Sequence, residues 1–353
     1  MPSLIEWLQG GETWNVIRAE RIEDGKLGWF CIKVSDECKE CYAEDQNVTC
    51  GTNPGRMGNG IRYALDQLPK VRVYLDEPTL LKPLHWRKGR LVFPCSMTDL
   101  YAREFVKDEW LDRVHAIYAL CPQHTFIELT KRPDRRLEYL TAPQCQIRIQ
   151  HQVDLIRRQR GAQYASAPIR WPLPNVWRMA SCGTQKTANE FIPFLLQTPA
   201  IVHGVSAEPL LGPLRLTEIP NPLYGGCKGN ALAFASPMGK SYSWQSRVDW
   251  VICGGESGHD ARPVHSKCVR DLRDQCANAG VPFFFKQWGT WVNPAQNPCL
   301  LHSNRNLEHR YVEDQGHNPK CPNASEYIVK AGKHDAGRKL DGKEWNQYPE
   351  VAR

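Results

Sequence analysis

The sequence lacks a long apolar run and a secretory leader. None of its 353 residues lie in a stretch of about 18 consecutive apolar residues, the minimum for a membrane-spanning helix. The first residues, MPSLIEWLQGGE, do not show the basic-then-apolar order of a secretory signal. The sequence therefore predicts a cytoplasmic protein that does not bind membranes.

Cysteine is too sparse for a disulfide scaffold. The chain has 14 cysteines, whereas disulfide-stapled secreted domains are short chains with more than about 8% cysteine. Without a leader, the expected compartment is reducing. Clustered cysteines should then serve as metal ligands or as catalytic groups.

Short runs rich in β-branched and aromatic residues alternate with segments of helical periodicity. Such runs predict strands at 13–17, 90–99, 125–133, 176–183, 201–209, 248–258 and 281–289. Helices are predicted between them at 107–120, 185–196 and 266–280. Because strands that alternate with helices form parallel sheets, we predict an α/β fold, a complete or partial β/α (TIM-like) barrel of about 6–8 parallel strands.

Three segments depart from this alternation. Residues 142–172 are rich in Arg and Gln, and residues 213–247 are rich in Gly, Pro and Ser, so both are predicted to be loop insertions. Residues 291–353 are polar and predict an irregular C-terminal extension packed on the barrel. The predicted organisation is a barrel at 1–290 followed by this extension.

One short polar segment, CIKVSDECKECYAE at 31–44, carries three cysteines: Cys31, Cys38 and Cys41. Three thiolates can hold a zinc ion or three irons of a 4Fe-4S cluster. A structural zinc site normally has four ligands, and a fourth could come from any of five residues: Cys50, Cys299, His302, His317 and Cys321. Zinc therefore stays open as an alternative. The odd number favours the cluster, because three thiolates leave one iron open for a substrate or cofactor.

Polar side chains follow several predicted strands, at the ends where β/α barrels build their active sites. They are Ser96, Thr98, Asp99, Lys131, Arg132, Glu208, Glu256, Ser257, Lys286 and Gln287. The N–H groups of Gly254 and Gly255 could receive a carboxylate or phosphate, or these glycines could simply form a tight turn. Glu208 could equally form a structural salt bridge with Lys131 or Arg132. Trp288 could stack on a base or adenine, and Cys182 and Cys253 could bind a second cluster, but core packing is favoured for all three.

Five blocks of the sequence carry a resemblance to a known family. The blocks are KVSDECKECYAE, SMTDLYAREFVKDEWLDRVHAIYALCPQHTFIELTKRP, LLQTPAIVHGVSAEPLLGP, VICGGESGHDARPVHSKCVRDLRDQCANAGVPFFFKQWG and GKHDAGRKLDGKEWNQYP. They resemble the phage and prophage family named after gene products 37 and 68. That family is similar to the radical S-adenosylmethionine enzymes, which use a partial β/α barrel and a three-cysteine 4Fe-4S cluster. The spacing here is C-x6-C-x2-C in place of the common C-x3-C-x2-C, and Glu40 stands where an aromatic residue usually precedes the last cysteine.

The resemblance implies that Cys31, Cys38 and Cys41 bind a 4Fe-4S cluster whose open iron holds S-adenosylmethionine, which one electron cleaves to a 5′-deoxyadenosyl radical. The catalytic residues would be Glu208, Glu256 and Lys131. The cofactor would be bound by Ser96, Thr98, Asp99, Gly254, Gly255, Ser257, Lys286 and Gln287. An electron donor such as flavodoxin or ferredoxin is an implied partner.

The charge distribution favours a nucleic-acid or nucleotide substrate. Lys and Arg number 45 against 38 Asp and Glu, a net charge of +7 that mildly favours anionic partners. The segment QIRIQHQVDLIRRQRGAQYASAPIRW has one acid, Asp154, beside five arginines and two aromatic rings: Arg148, Arg157, Arg158, Arg160, Arg170, Tyr164 and Trp171. Phosphates and bases suit this mixture, whereas a solvated basic helix face would need no partner. The alternative function is a zinc-stabilised nucleic-acid-binding or phage accessory protein without radical chemistry.

Overall fold

The computed structural model describes residues 3–50, 53, 57–161, 167–234, 244, 246–300, 307–313 and 325–350. Its helices are α1 (Tyr42–Thr49), α2 (Glu77–Leu80), α3 (Asp108–Leu120), α4 (Pro133–Thr141), α5 (Cys145–Gln159), α6 (Gln185–Gln197), α7 (Ser266–Asn278) and α8 (Lys333–Ala336). Its strands are β1 (Glu12–Trp14), β2 (Ile17–Arg21), β3 (Leu27–Gly28), β4 (Val71–Leu75), β5 (Leu91–Pro94), β6 (Thr125–Thr130), β7 (Val176–Ser181), β8 (Val202–Ala207), β9 (Ile219–Asn221), β10 (Cys227–Gly229), β11 (Trp250–Gly254), β12 (Phe283–Gln287), β13 (Trp291–Val292), β14 (His309–Glu313) and β15 (Ser325–Lys330). Four residues named above lie outside the described ranges: Tyr164, His302, His317 and Cys321.

Seven parallel strands form the main sheet, in the order β1-β5-β6-β7-β8-β11-β12. Each run that was predicted to be a strand overlaps one of these seven strands. Most of the runs end in polar residues, and these residues lie after the last residue of the strand. β7, β8 and β11 are buried along their whole length, as expected for parallel strands covered on both faces. The predicted α/β fold, a partial β/α barrel, is confirmed. No described helix is long and apolar enough to cross a bilayer.

The chain divides into two compact units. The first consists of residues 1–34, 41–179 and 197–201, and the second of residues 35–40, 180–196 and 202–353. This division does not follow the predicted boundary at residue 290, because the C-terminal segment shares its hydrophobic core with the end of the sheet. Val329 and Leu340 belong to the same buried cluster as Val251 and Phe283.

Within the second unit, the C-terminal extension covers the edge strand β12. The N–H of Phe285 donates to the carbonyl of Trp345 (2.9 Å), and the N–H of Phe283 donates to the side-chain oxygen of Gln347 (2.9 Å). The ring of Tyr348 lies 5.2 Å from that of Trp250. The described residues of the extension also contribute the small antiparallel sheet β13-β15-β14.

The segment 142–172 is not the simple loop insertion that its composition predicts. It contains α5, a helix of 15 residues. Its apolar side recurs every three or four residues and packs in the core that α3 also enters: Cys145, Ile149, Val153 and Ile156. Arg and Gln on the other side gave the segment its polar composition. The described part of 213–247 contains the hairpin β9-β10 and two short 3-10 turns (Leu216–Glu218 and Pro222–Tyr224).

A charged network is buried in the first unit. Glu128 on β6 and Arg178 on β7 form an ion pair, and both are almost completely buried. The hydroxyls of Tyr101 (2.9 Å) and Tyr118 (3.3 Å) donate to the Glu128 carboxylate. A second buried cation, Arg136, lies 4.0 Å from the same carboxylate. Glu128 therefore compensates two arginines that water does not reach.

Candidate functional site

In the first unit, Cys31 and Cys41 lie beside one buried tyrosine. The hydroxyl of Tyr63 donates to the carbonyl of Met97 (2.7 Å), in the loop after β5. Both cysteines pack against the small apolar cluster that contains Tyr63 and Met97. Burial, and then the charges of the Cys31 and Cys41 thiolates, raise the pKa of Tyr63 well above its usual range. These two thiols therefore stand near the carboxyl end of β5.

A buried acid on α1 fixes the segments that carry these two thiols. Cys41 is the N-cap residue of α1. From the first turn of that helix, the carboxylate of Glu44 accepts the N–H of Tyr63 (2.7 Å) and pairs with Lys33 (2.6 Å). Because Lys33 lies two residues after Cys31, one carboxylate links the neighbourhoods of both cysteines.

The loop after β5 brings the predicted Ser96 and Thr98 to the same place. The carbonyl of Ser96 accepts the hydroxyl of Tyr42 (2.9 Å), which adjoins Cys41. The hydroxyl of Thr98 donates to the carbonyl of Phe30, which adjoins Cys31. Both contacts bind the cysteine-bearing chain to the carboxyl end of β5.

Asp99 organises the loop after β6. Its buried carboxylate accepts the N–H of Lys131 (2.9 Å) and pairs with Arg132 (3.3 Å). Arg132 in turn donates to the carbonyl of Ile32 (2.9 Å), which adjoins Cys31. These contacts give Asp99 a positioning role, since protein groups occupy its oxygens.

In the second unit, the acid that precedes Cys38 in the chain, Glu37, is bound at the start of α6. The Oε1 atom of Glu37 accepts the N–H of Gly183 (2.9 Å) and the hydroxyls of Thr184 (3.3 Å) and Thr187. Gly183 lies two residues beyond β7, and the two threonines lie at the start of α6. Cys38 is therefore tied to the carboxyl end of β7.

Glu256, just beyond β11, is bound by an arginine. Its Oε2 atom accepts the backbone N–H (2.7 Å) and Nε–H (2.8 Å) of Arg262, and its Oε1 accepts Nη2–H (2.6 Å). The Nη1 of Arg262 donates to the carbonyl of Asp36 (2.9 Å). Glu256 thus orients an arginine that binds the Cys38 segment.

Glu208 and Lys286 form an ion pair at the ends of β8 and β12. Their Oε1 and Nζ atoms are 2.5 Å apart, and the side chains are 17% and 15% exposed. This partner differs from Lys131 and Arg132, which the sequence suggested. A Cβ atom on Gly254 would lie 3.3 Å from the Glu208 Oε1, so glycine leaves room for the carboxylate. Both side chains are therefore mostly buried, but part of each remains accessible to solvent.

Gly255 and Gln287 bond to each other. The N–H of Gly255 donates to the backbone carbonyl of Gln287 (2.9 Å), and the Gln287 amide donates back to the Gly255 carbonyl (2.9 Å). A Cβ atom on Gly255 would lie 1.9 Å from the Trp288 carbonyl, so this close approach requires glycine. Trp288 is buried and donates to the Lys339 carbonyl (2.8 Å), which confirms its expected core position. Gly255 and Gln287 therefore build the turn, and the buried Ser257 hydroxyl keeps its hydrogen-bonding capacity.

The three cysteines of the segment differ from the core cysteines in exposure. Cys31, Cys38 and Cys41 are partly exposed, whereas Cys182 and Cys253 are buried in the core, as the sequence predicts. No disulfide joins the cysteines that the structure describes. Within the described ranges, no group of three or more His, Cys, Asp or Glu residues is arranged to hold a metal ion. Partly exposed thiols among polar groups are the soft donors that iron and zinc take, so the donor chemistry of the trio fits either metal.

In the basic segment, residues 146–171, fewer arginines are exposed than the composition suggests. The Nε of Arg148 pairs with Asp112 (3.0 Å), and Trp171 packs on the core of the first unit. Both side chains thus serve the fold. The exposed arginines of the segment are Arg157, Arg158, Arg160 and Arg170.

Sequence reasoning missed the residues that bind the cysteine segment to the strand ends. Glu37 and Arg262 were both in blocks quoted above, but nothing in the local pattern shows what they contact. One signal was present: an acid directly beside a cysteine, followed by a second acid and a second cysteine, is an unusual local concentration of ligand-type side chains. Tyr63 could not be identified from the sequence, because a single tyrosine in a polar stretch is common on protein surfaces.

The fold and these contacts define a partial β/α-barrel protein in which each unit binds a cysteine-bearing segment to the carboxyl ends of its parallel strands. The chain belongs to the family described as protein of unknown function DUF5131, whose model matches residues 3–349. The matched range includes the cysteine segment and all seven strands of the main sheet. No curated protein and no solved structure matches the chain.

Proposed function

We propose that this protein is an iron-sulfur enzyme of the radical S-adenosylmethionine-like class, with Cys31, Cys38 and Cys41 as the ligands of a 4Fe-4S cluster. One observation carries the proposal: the cysteine segment is bound at strand ends in both units, after β5 and β6 in the first and after β7 and β11 in the second. β/α barrels place their active sites at this edge of the sheet. With one iron open, the cluster would bind S-adenosylmethionine and supply the electron that cleaves it.

In this proposal the side chains at the strand ends bind and orient the reactants. Glu208 accepts hydrogen bonds from ribose hydroxyls, and its ion pair with Lys286 holds that carboxylate in place. Ser257 supplies a hydroxyl that no described protein group engages. In the first unit, the half-buried Lys131 offers a cation to an anionic substrate group.

The proposed partners follow from the same chemistry. A reduced flavodoxin or ferredoxin would deliver the electron, and a reducing cytoplasm would keep the thiols available for iron. The substrate is a nucleic acid or a nucleotide, since Arg157 and Arg158 stand exposed in the last turn of α5, with Arg160 just after it. A zinc-stabilised nucleic-acid-binding or phage accessory protein would use the same thiols and arginines without radical chemistry.

Reductive cleavage of S-adenosylmethionine tests the proposed reaction. After anaerobic reconstitution, dithionite should yield 5′-deoxyadenosine, measured by liquid chromatography. Glu208→Gln should slow this release by about 10- to 100-fold, the worth of hydrogen bonds to a charged group. Glu218→Gln is the matched control, because Glu218 pairs with Lys228 at the surface of the same unit. A protein that carries the cluster but forms no nucleoside with any reductant would overturn the proposed reaction.

Salt dependence tests the proposed substrate class. If the exposed arginines contact phosphates, log affinity for nucleic acid should fall linearly with log salt. The double substitution Arg157→Ala and Arg158→Ala should reduce that slope by about one to two units, as measured by fluorescence anisotropy. Arg72→Ala, an exposed arginine on β4, should leave it unchanged. Absence of binding to DNA and RNA at about 50 mM salt would exclude a nucleic-acid polymer as the substrate.

A further inference from the structure

We infer that Glu37 is the positioning residue for Cys38, and that it fixes this ligand before any metal binds. The inference rests on the proposed function, because it concerns one of the three proposed ligands. It goes beyond that function in assigning a role to a residue that touches neither metal nor substrate.

The Glu37 carboxylate is bound inside the second unit. Its side chain is 3% exposed, and its Oε1 atom accepts the Gly183 N–H and the Thr184 and Thr187 hydroxyls, as described above. The acceptor stands at the N-terminus of α6, a helix of 13 residues. A negative charge is favoured there, because the first N–H groups of a helix have no partner within it and the helix dipole is positive at this end.

The junction between β7 and α6 is shaped for this side chain. A Cβ atom on Gly183 would lie 1.8 Å from the Pro209 carbonyl oxygen and 3.1 Å from the Glu37 Cγ. Because glycine has no Cβ atom, the Pro209 carbonyl and the Glu37 side chain can both approach the Gly183 backbone. The Glu37 side chain enters from outside the helix, and its Oε1 atom accepts the N–H and both hydroxyls.

One short turn connects the buried carboxylate to the thiol. Asp36, Glu37 and Cys38 form a 3-10 turn, in which the Cys38 N–H donates to the Ser35 carbonyl (3.0 Å). The Cys38 sulfur lies 3.6 Å from the Ser35 hydroxyl. Glu37 and Cys38 are adjacent in this turn, whose backbone geometry is fixed. The contacts that hold the Glu37 side chain therefore also restrict the positions available to the Cys38 side chain. A ligand that is already ordered loses less conformational freedom when the metal binds.

The chain offers a matched control for the stability cost of losing such an acid. Glu326 does at the start of α7 what Glu37 does at the start of α6: its carboxylate accepts the N–H (2.6 Å) and the hydroxyl (2.5 Å) of Ser266. Its side chain is 8% exposed, but no cysteine adjoins it in the sequence. Glu37→Ala and Glu326→Ala should therefore lower the unfolding temperature similarly and differ in their effect on the metal site.

Two measurements separate positioning from stability. In anaerobically reconstituted protein, iron loss to a chelator should be about 10-fold faster in Glu37→Ala than in wild type, the lower end of the effect expected from residues that orient a ligand, and unchanged in Glu326→Ala. In metal-free protein, iodoacetamide should alkylate Cys38 faster in Glu37→Ala, as measured by peptide mass spectrometry. Thr187→Val, which removes one hydroxyl donor, should change both rates in the same direction and serves if Glu37→Ala does not fold.

The outcomes distinguish this inference from the proposed function. If the wild type takes up no metal but Cys38 alkylation accelerates in Glu37→Ala, the proposed cluster is wrong and the positioning of Cys38 stands. If the wild type takes up iron, and Glu37→Ala and Glu326→Ala lose it and are alkylated at equal rates, Glu37 is only a helix-capping residue and the inference is overturned.

Discussion

Replacing Cys31, Cys38 or Cys41 individually by alanine is expected to abolish the visible charge-transfer absorption of the reconstituted protein and to reduce its bound iron to background. Each thiolate would hold one iron of the cluster, so its removal leaves that iron without its protein ligand. Absorption spectra with iron and sulfide assays, taken after anaerobic reconstitution, measure the effect.

Cys227→Ala and Cys50→Ala are the controls for this experiment. Both cysteines are exposed, so their loss removes a thiol without opening a cavity. Cys227→Ala should keep the full iron content. Cys50→Ala should do the same, because only a four-ligand zinc site needs a further thiol from nearby. A variant that lacks one cysteine of the trio and still holds the full complement of iron would remove that cysteine from the ligand set.

Glu128→Leu is expected to lower the free energy of unfolding by about 3–5 kcal/mol, the usual cost of removing one partner from a buried charge pair. It would leave two buried arginines, Arg178 and Arg136, without their shared carboxylate. Chemical denaturation at pH 7 measures the loss. Glu138→Leu is the matched control, since Glu138 pairs with Arg103 at the surface of the same unit and such pairs contribute at most about 1 kcal/mol.

The same network gives the stability a defined dependence on pH. Burial raises the pKa of Glu128, but Arg178 and other positive neighbours lower it by more than burial raises it. The net pKa of Glu128 is therefore below its ordinary value of 4.5. Burial, with a contribution from Arg178, lowers the pKa of His115 from 6.5 to about 3, so the folded ring stays neutral where the unfolded one is protonated. The unfolded chain therefore binds more protons on both groups.

Both pKa shifts make the folded protein less stable as the pH falls. The contribution of His115 is lost as pH falls from 6.5 toward about 3, and that of Glu128 is lost as pH falls below 4.5. Denaturation at a series of pH values should show stability declining from pH 6.5 downward, less steeply at first in His115→Phe, which keeps an aromatic ring beside Tyr118. A stability that stays constant between pH 6.5 and 4.5 would show that the folded protein does not hold the His115 ring neutral.

The strands were predictable because a parallel strand is a local feature of the sequence. β7 and β8 are buried on both faces, so each appears as an almost unbroken apolar run that ends where the chain leaves the sheet. The α5 helix was misjudged for a related reason. It buries one narrow stripe, and the Arg and Gln residues around that stripe dominate its composition.

The contacts of the candidate site were not predictable in the same way, because they join residues that are far apart in the sequence. The Glu37 carboxylate meets an N–H donor 146 residues away, and Arg262 meets a carbonyl 226 residues away. Glu208 and Lys286 are separated by 78 residues. Local patterns identify which side chains end each strand, but only the tertiary fold determines which of them meet. The cysteine trio was found because its three members lie within one short segment.

Elemental analysis of the anaerobically purified and reconstituted wild-type protein tests whether the cysteine trio binds an iron-sulfur cluster. We expect a brown protein with about four irons and four sulfides per chain, as for a single 4Fe-4S cluster. A colourless protein with about one zinc per chain and no iron, the content of a structural zinc site, would contradict it and leave the zinc-stabilised nucleic-acid-binding protein as the better account.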